Sequence, residues 1–377
     1  MNKVVFIFPF IIVSLLTAIL GGWIRIGWNF PVPVIASQHG ALMVNGFLAS
    51  VIYFERAVTF KNKWILLLPL VNASAIVAII LDLPQVAQLI FISGSIGFLM
   101  MCIYFIYRFK DSYYAIFLIG AFCLVTGNII LFRTNRYAGA VNWWMGFLLF
   151  TIVAERLELS RFLALTPFKR SLLWACVVFV LAALALPFKS SGNIALAIGI
   201  ATTAAWLLKY DMARHSIKIK GQHRYSGLLL ITGYVWLLVM SILLFFHEKM
   251  VLGYDAVLHS FFIGFIFSMI FSHAVIILPA VTKLPVKLYR PVLYVWYALL
   301  QASLIIRIIA DLLQDVPCRK IAGLANGVFI LIFFFSIAVI MRSELNKKKR
   351  SSPTVMLNRE KIPQDTINVA GHLSFRR

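Results

Sequence analysis

Long apolar runs and short polar breaks alternate along this chain twelve times. The runs lie at roughly 4–24, 36–54, 64–82, 86–107, 113–132, 139–154, 171–187, 192–209, 225–246, 254–280, 291–313 and 321–341. About twenty residues of helix span a hydrocarbon core of ~30 Å, and these runs cluster around that length. None alternates with period two, as a membrane β-strand does. Lipid offers backbone groups no partner, so only helices or closed barrels cross it. The pattern therefore predicts an all-α fold: a polytopic membrane bundle of about twelve transmembrane helices.

A second pattern lies inside the first. Gly46-Phe47-Leu48 is followed, with six residues between, by Glu55-Arg56. Gly146-Phe147-Leu148 precedes Glu155-Arg156 at the same spacing, and Gly264-Phe265-Ile266 precedes His273. These phrases fall in runs 2, 6 and 10. A phrase that returns every fourth helix predicts a pseudo-threefold repeat of four-helix units.

Composition agrees with lipid as the solvent. The chain is 62% hydrophobic and only 13% charged, and its mean hydropathy is +0.93. The net charge of +22 is not a nucleic-acid signal here, because it follows the alternation of the loops. Of the Lys and Arg residues, 27 fall on one side of the bundle and 8 on the other. Basic loops stay cytoplasmic, so both termini are expected inside an inner (plasma) membrane. The first run lacks a small-residue cleavage site and reads as a retained helix. Residues 1–342 form one transmembrane domain. Residues 343–377 carry Lys347-Lys348-Lys349-Arg350 and no periodicity, and read as a basic, disordered cytoplasmic tail against anionic lipid. Cys102, Cys123, Cys176 and Cys318 show no paired spacing and read as small apolar residues.

Short loops leave no soluble catalytic domain, so chemistry has to sit between helices. Of seven histidines, His215 and His223 lie in a basic loop, His372 in the tail, and His247 beside Glu248 and Lys249 at a boundary. His39, His259 and His273 lie in or beside apolar helices, where an ionisable group is costly and points to a function or a partner. His39 opens run 2 and His259 lies just inside run 10, both on the outer side. Two imidazoles from different helices at equal depth suit axial ligation of a heme iron. The alternative is a pair of histidines bonded to backbone carbonyls in a packed bundle. His273 is ~21 Å deeper at ~1.5 Å per residue and cannot share that iron. The repeat brings Glu55, Glu155 and His273 to matching depth near the inner face. They form a candidate metal or proton site, or else a boundary of local ion pairs to Arg or Lys such as Arg161. Arg307 and Asp311 are spaced i,i+4 and read as a pair on run 11. Arg25, Arg133, Arg136 and Arg307 are the outer arginines available to a heme propionate.

With these residues in view, the chain resembles a known family. His39-Gly40 followed by Met43 is similar to the low-spin heme segment of the heme-copper oxidases, in which the opposing ligand lies on helix 10, where His259 stands. The stretches 39–56, 143–161 and 259–280 resemble more closely the NnrS family of twelve-helix, heme- and copper-containing proteins linked to nitric oxide stress. The resemblance implies heme b, with copper or another metal possible. It implies a function in electron transfer or the nitric oxide response, with an unidentified redox partner. One departure matters. Run 6 offers Trp143 and Trp144, and run 7 has no histidine, so the copper-ligand pattern of a terminal oxidase is missing. The competing classes are a secondary transporter and a ligand-free membrane scaffold or sensor. The expected partner is the lipid bilayer, and nucleic acid is not expected.

Overall fold

The computed structural model describes residues 7–32, 34–160, 163, 165–186, 191–282 and 286–359. Among them there is no strand, and twelve helices are long and apolar enough to cross a membrane. They are α1 Ile7–Arg25, α2 Ile35–Ala57, α3 Lys63–Ile80, α4 Pro84–Phe109, α5 Ser112–Thr134, α6 Tyr137–Leu159, α7 Pro167–Leu184, α8 Gly192–Tyr210, α9 Gln222–Lys249, α10 Gly253–Val281, α11 Val292–Leu313 and α12 Val316–Lys347. The protein is an all-α, multi-pass membrane bundle, and every apolar run read from the sequence has become one helix.

Local chemistry explains where the helices stop. α4 begins on Pro84, where the missing N–H costs nothing, and ends on Lys110 in the left-handed region at φ 57°. α5 ends the same way on Asn135 at φ 52°. α7 starts on Pro167 behind Thr166, whose side chain accepts the Lys169 N–H. The helix containing α12 continues to Arg359, into the segment expected to be an aperiodic tail. Residues 360–377, like Arg161, lie outside the described residues.

Sequential helices pack side by side from α1 to α12, and α1 also meets α12. Three helices are the most buried. Over their most apolar stretch α2, α6 and α10 are 61%, 78% and 67% buried, more than any other span. These are the helices that carry the recurring phrase. α2 meets α6 through Arg56 and Glu155, α6 meets α10 through Arg156 and His273, and α10 meets α2 through the stacked rings of Phe267 and Phe47.

The phrase glycines explain how they seat. A Cβ on Gly46 would stand 3.2 Å from Ser14 of α1, and one on Gly264 would run into the Trp236 ring of α9, whereas one on Gly146 would meet the tip of Leu184 of α7. In α2 and α10 the glycine lets the central helix lie against the helix before it, and in α6 against the helix after it.

The central helices differ in one respect. The backbone widens to a π-helix over Leu42–Ala49 in α2 and over Ser260–Ile266 in α10. α6 stays α-helical throughout. Hydroxyls take carbonyls in both widened turns, Ser50 at Asn45 and Ser268 at Gly264. The Asn45 carbonyl also accepts the Asn72 side chain of α3 at 2.7 Å. Such partners are what a non-α turn needs inside lipid.

Candidate functional site

His39 lies one turn into α2 and His259 ends the first α-helical stretch of α10, Gly253–His259. Both immediately precede or closely flank the start of a π-helical segment, a feature frequent at functional sites. His39 Nδ1 is 2.6 Å from the Ala18 carbonyl of α1. A Cβ on Gly22 would stand 2.9 Å from His39 Cε1, so glycine is what lets α1 lie flat against the ring. His259 Nδ1 is 2.8 Å from the Asp255 carbonyl one turn earlier.

A carbonyl can only accept, so each Nδ1 carries the proton and donates. Each Nε2 then holds a lone pair. Among the described residues neither Nε2 has a hydrogen-bond partner. His259 lies close enough to act on His39 electrostatically, as do Arg25 and Arg307. The His259 side chain keeps 18% of its surface accessible. Tyr137 of α6 closes the same end, with its ring 3.3 Å from where a Gly40 Cβ would be and its hydroxyl donating to Gln38.

The sequence offered two readings of this pair, axial ligands or histidines bonded to carbonyls. The geometry is compatible with both at once. Carbonyl bonds fix the tautomer and orientation of each ring, as they do behind metal-bound histidines, and leave the other nitrogen unbonded. An unbonded imidazole nitrogen is a donor type that heme iron accepts. Of the recesses in the structure, a groove of about 540 Å³ lies along Val339, Arg342, Ser343, Asn346 and Lys347. A void of about 10 Å³ lies near Gly146 and Phe261. Neither borders the two rings.

The pairing expected between Arg307 and Asp311 does not form. Arg307 Nη2 instead donates to Asp255 Oδ2 across helices at 2.9 Å. Asp311 is engaged by Arg319 of α12, with Nε 2.8 Å from Oδ1. Arg319 also reaches Asp255 Oδ2 at 3.2 Å. Spacing along one helix permits a pair, but in lipid a buried charge settles with the partner that desolvates it least, and here that partner is on a neighbouring helix. Asp255 and Arg319 were not singled out from the sequence. Asp255 was detectable there, since it stands four residues before His259 and shares its face.

At the opposite end of the bundle, Glu55 and Glu155 do converge, on a cation from the chain itself. Arg56 Nη2 lies 2.8 Å from Glu155 Oε1 and 3.6 Å from Glu55 Oε1, and its Nη1 lies 3.4 Å from Glu158 Oε2. The guanidinium stacks 4.4 Å over the Phe117 ring of α5. His273 is held apart from this group by Arg156, whose Nη2 is 2.8 Å from His273 Nε2. An arginine can only donate, so Nε2 accepts, and Nδ1 donates to the Met269 carbonyl at 2.8 Å. His273 is thus a neutral imidazole with both nitrogens in use.

The three residues read as a metal set are therefore neighbours on facing helices rather than one ligand shell. Among the described residues no three His, Cys, Asp or Glu side chains gather as a metal-binding group. The ion-pair alternative is what the structure shows: Glu55 and Glu155 both pair with an arginine, Arg56, the second of them across helices. Arg156, only 4% exposed, turns to α10. Cys102, Cys123 and Cys176 are buried and free, as small core residues are.

Residues 4–342 match the model of one family, described as a domain of unknown function (DUF8744), and the chain belongs to that family. No curated protein and no solved structure matches the chain.

Proposed function

We propose that this DUF8744 protein is a membrane heme protein that binds heme b between His39 and His259 and serves in one-electron transfer. One observation carries the reading. Two imidazoles on different central helices each have Nδ1 committed to a backbone carbonyl and Nε2 left open, and they stand at the same end of the bundle. A carrier has no need of that arrangement. Heme iron supplies a one-electron couple when bound. The chain's own residues orient the two rings, exclude bulk water and offer Arg25, exposed and near His39, to an anionic propionate. The likeness to the NnrS family supports a place in the nitric oxide response, and the basic asymmetry of the loops supports an inner membrane with both termini cytoplasmic. The inner group is read as an ion network that ties α2, α6 and α10 together. In this arrangement copper has no free imidazole there.

The test is the absorption spectrum of detergent-purified protein made with ample heme. A Soret band with a low-spin bis-imidazole pattern is the expected result. His39→Ala and His259→Ala each abolish or convert it, because loss of one axial donor opens a coordination position. His215→Ala and His223→Ala leave it unchanged. Colourless wild-type protein rejects the reading and leaves a secondary transporter or ligand-free scaffold in its place.

A further inference from the structure

The two histidines are alike at Nδ1 in bonding a carbonyl, but not in what stands behind it. Among the described residues His39 Nδ1 meets the Ala18 carbonyl and no carboxylate. His259 faces the Asp255 carbonyl at 2.8 Å and also the Asp255 carboxylate, with Oδ2 3.3 Å from Nδ1. That carboxylate oxygen is held from the other side by Arg307 Nη2 at 2.9 Å and Arg319 Nη2 at 3.2 Å. Arg319 is held in turn by Asp311. The four charges come from α10, α11 and α12, and Arg307 and Asp311 are only 5% and 1% exposed. α12 is shaped for them. A Cβ on Gly323 would stand 3.0 Å from Arg307 Nη1, so that position makes room for the guanidinium.

We infer that Asp255 is a positioning residue for His259, a carboxylate clamped by Arg307 and Arg319 that fixes the ring and makes it the more electron-rich of the two imidazoles. The inference rests on the heme reading above. A carboxylate behind the N–H of a ligating imidazole fixes the tautomer and raises the basicity of the opposite nitrogen. Low surrounding dielectric magnifies the effect of such a charge. Greater donation and nearby negative charge favour the more positive, oxidised iron. Asp255 therefore lowers the midpoint potential. The arginines temper that effect, and removing one of them leaves the site more negative.

The experiment is redox titration of the heme-loaded full chain, followed at the Soret band. Asp255→Asn keeps an acceptor of similar shape and removes the charge. The expected result is an upward shift of the midpoint potential with the bis-imidazole spectrum retained. Arg319→Gln keeps Asp255 charged and is expected to shift the potential down. A merely structural role for the cluster moves both variants in one direction or neither. If Asp255→Asn does not fold, Arg319→Gln together with the charge-conserving Asp255→Glu, expected to stay nearest wild type, decides the matter. Unchanged potentials in coloured protein, or shifts of the same sign, overturn this inference and leave the heme reading standing. Colourless wild-type protein overturns the heme reading itself, and this inference with it.

Discussion

Arg56 shows how far a residue's place can be read from sequence and its partner cannot. The shared register of Glu55 and Glu155 on α2 and α6 was visible in the sequence. Two carboxylates at such close quarters require a cation or a proton between them, and the cation proves to be the arginine next to Glu55. Side-chain direction made that illegible. Arg56 and Arg156 follow glutamates in identical phrases, yet one reaches Glu155 and the other reaches His273. The difference comes from the third helix, where histidine replaces the glutamate-arginine pair. Removing one member of a buried ionic cluster leaves the rest uncompensated, at a cost of about 3–5 kcal/mol. Arg56→Met should therefore lower the melting temperature of the purified protein sharply, since it abandons three carboxylates and the stack on Phe117. Glu158→Gln, which removes only the partner of a 3.4 Å contact, should change it little. Equal melting temperatures for wild type and Arg56→Met would show the cluster to be wet and weak.

Elements were more legible than residues, because each helix in lipid announces itself by length and hydropathy. All twelve runs became helices, with ends moved by a few residues where capping chemistry decided. The two π-helical segments were not legible. Their phrase, Gly-Phe followed by Leu or Ile, stands also in α6, where the helix is regular. The widening depends on what neighbouring helices offer the freed carbonyls, such as Asn72 of α3 at Asn45, and that is tertiary information. The glycines of the phrase have a legible consequence of their own. A methyl on Gly264 meets the broad Trp236 ring, which is itself held by a hydrogen bond to Gln301. A methyl on Gly146 meets chiefly the tip of Leu184, which can rotate away. Overpacking a tight interface costs typically 1–3 kcal/mol. Thermal unfolding should accordingly rank Gly264→Ala well below Gly146→Ala. The reverse order would mean that α9 and α10 slide apart more easily than the packing implies.

For the whole molecule the open question is which way it sits in the membrane, and charge argues for one answer. The structure sharpens the asymmetry counted along the chain. Two of the 8 basic residues on the poorer side, Arg307 and Arg319, are neutralised within the bundle by Asp255 and Asp311. The loops on that side therefore carry even less free positive charge than the count suggests. On the richer side, Arg56 is neutralised by its glutamates and Arg290 and Lys347 pair with Glu344, which takes only a few charges from 27. Orientation is governed by basic residues in short loops near the helix ends, and the excess on the richer side survives these pairings. Reporter fusions after Lys110, Arg170 and Lys220 should read cytoplasmic, and fusions near Pro33, Lys189 and Lys249 should read external. Fusions that read so would set the histidine pair and Asp255 near the outer surface and the Arg56 network near the cytoplasm, and the proposed heme would then meet an external electron donor or acceptor. A cytoplasmic signal near Lys249 would invert the molecule, and the redox partner sought for His39 and His259 would then be a cytoplasmic one.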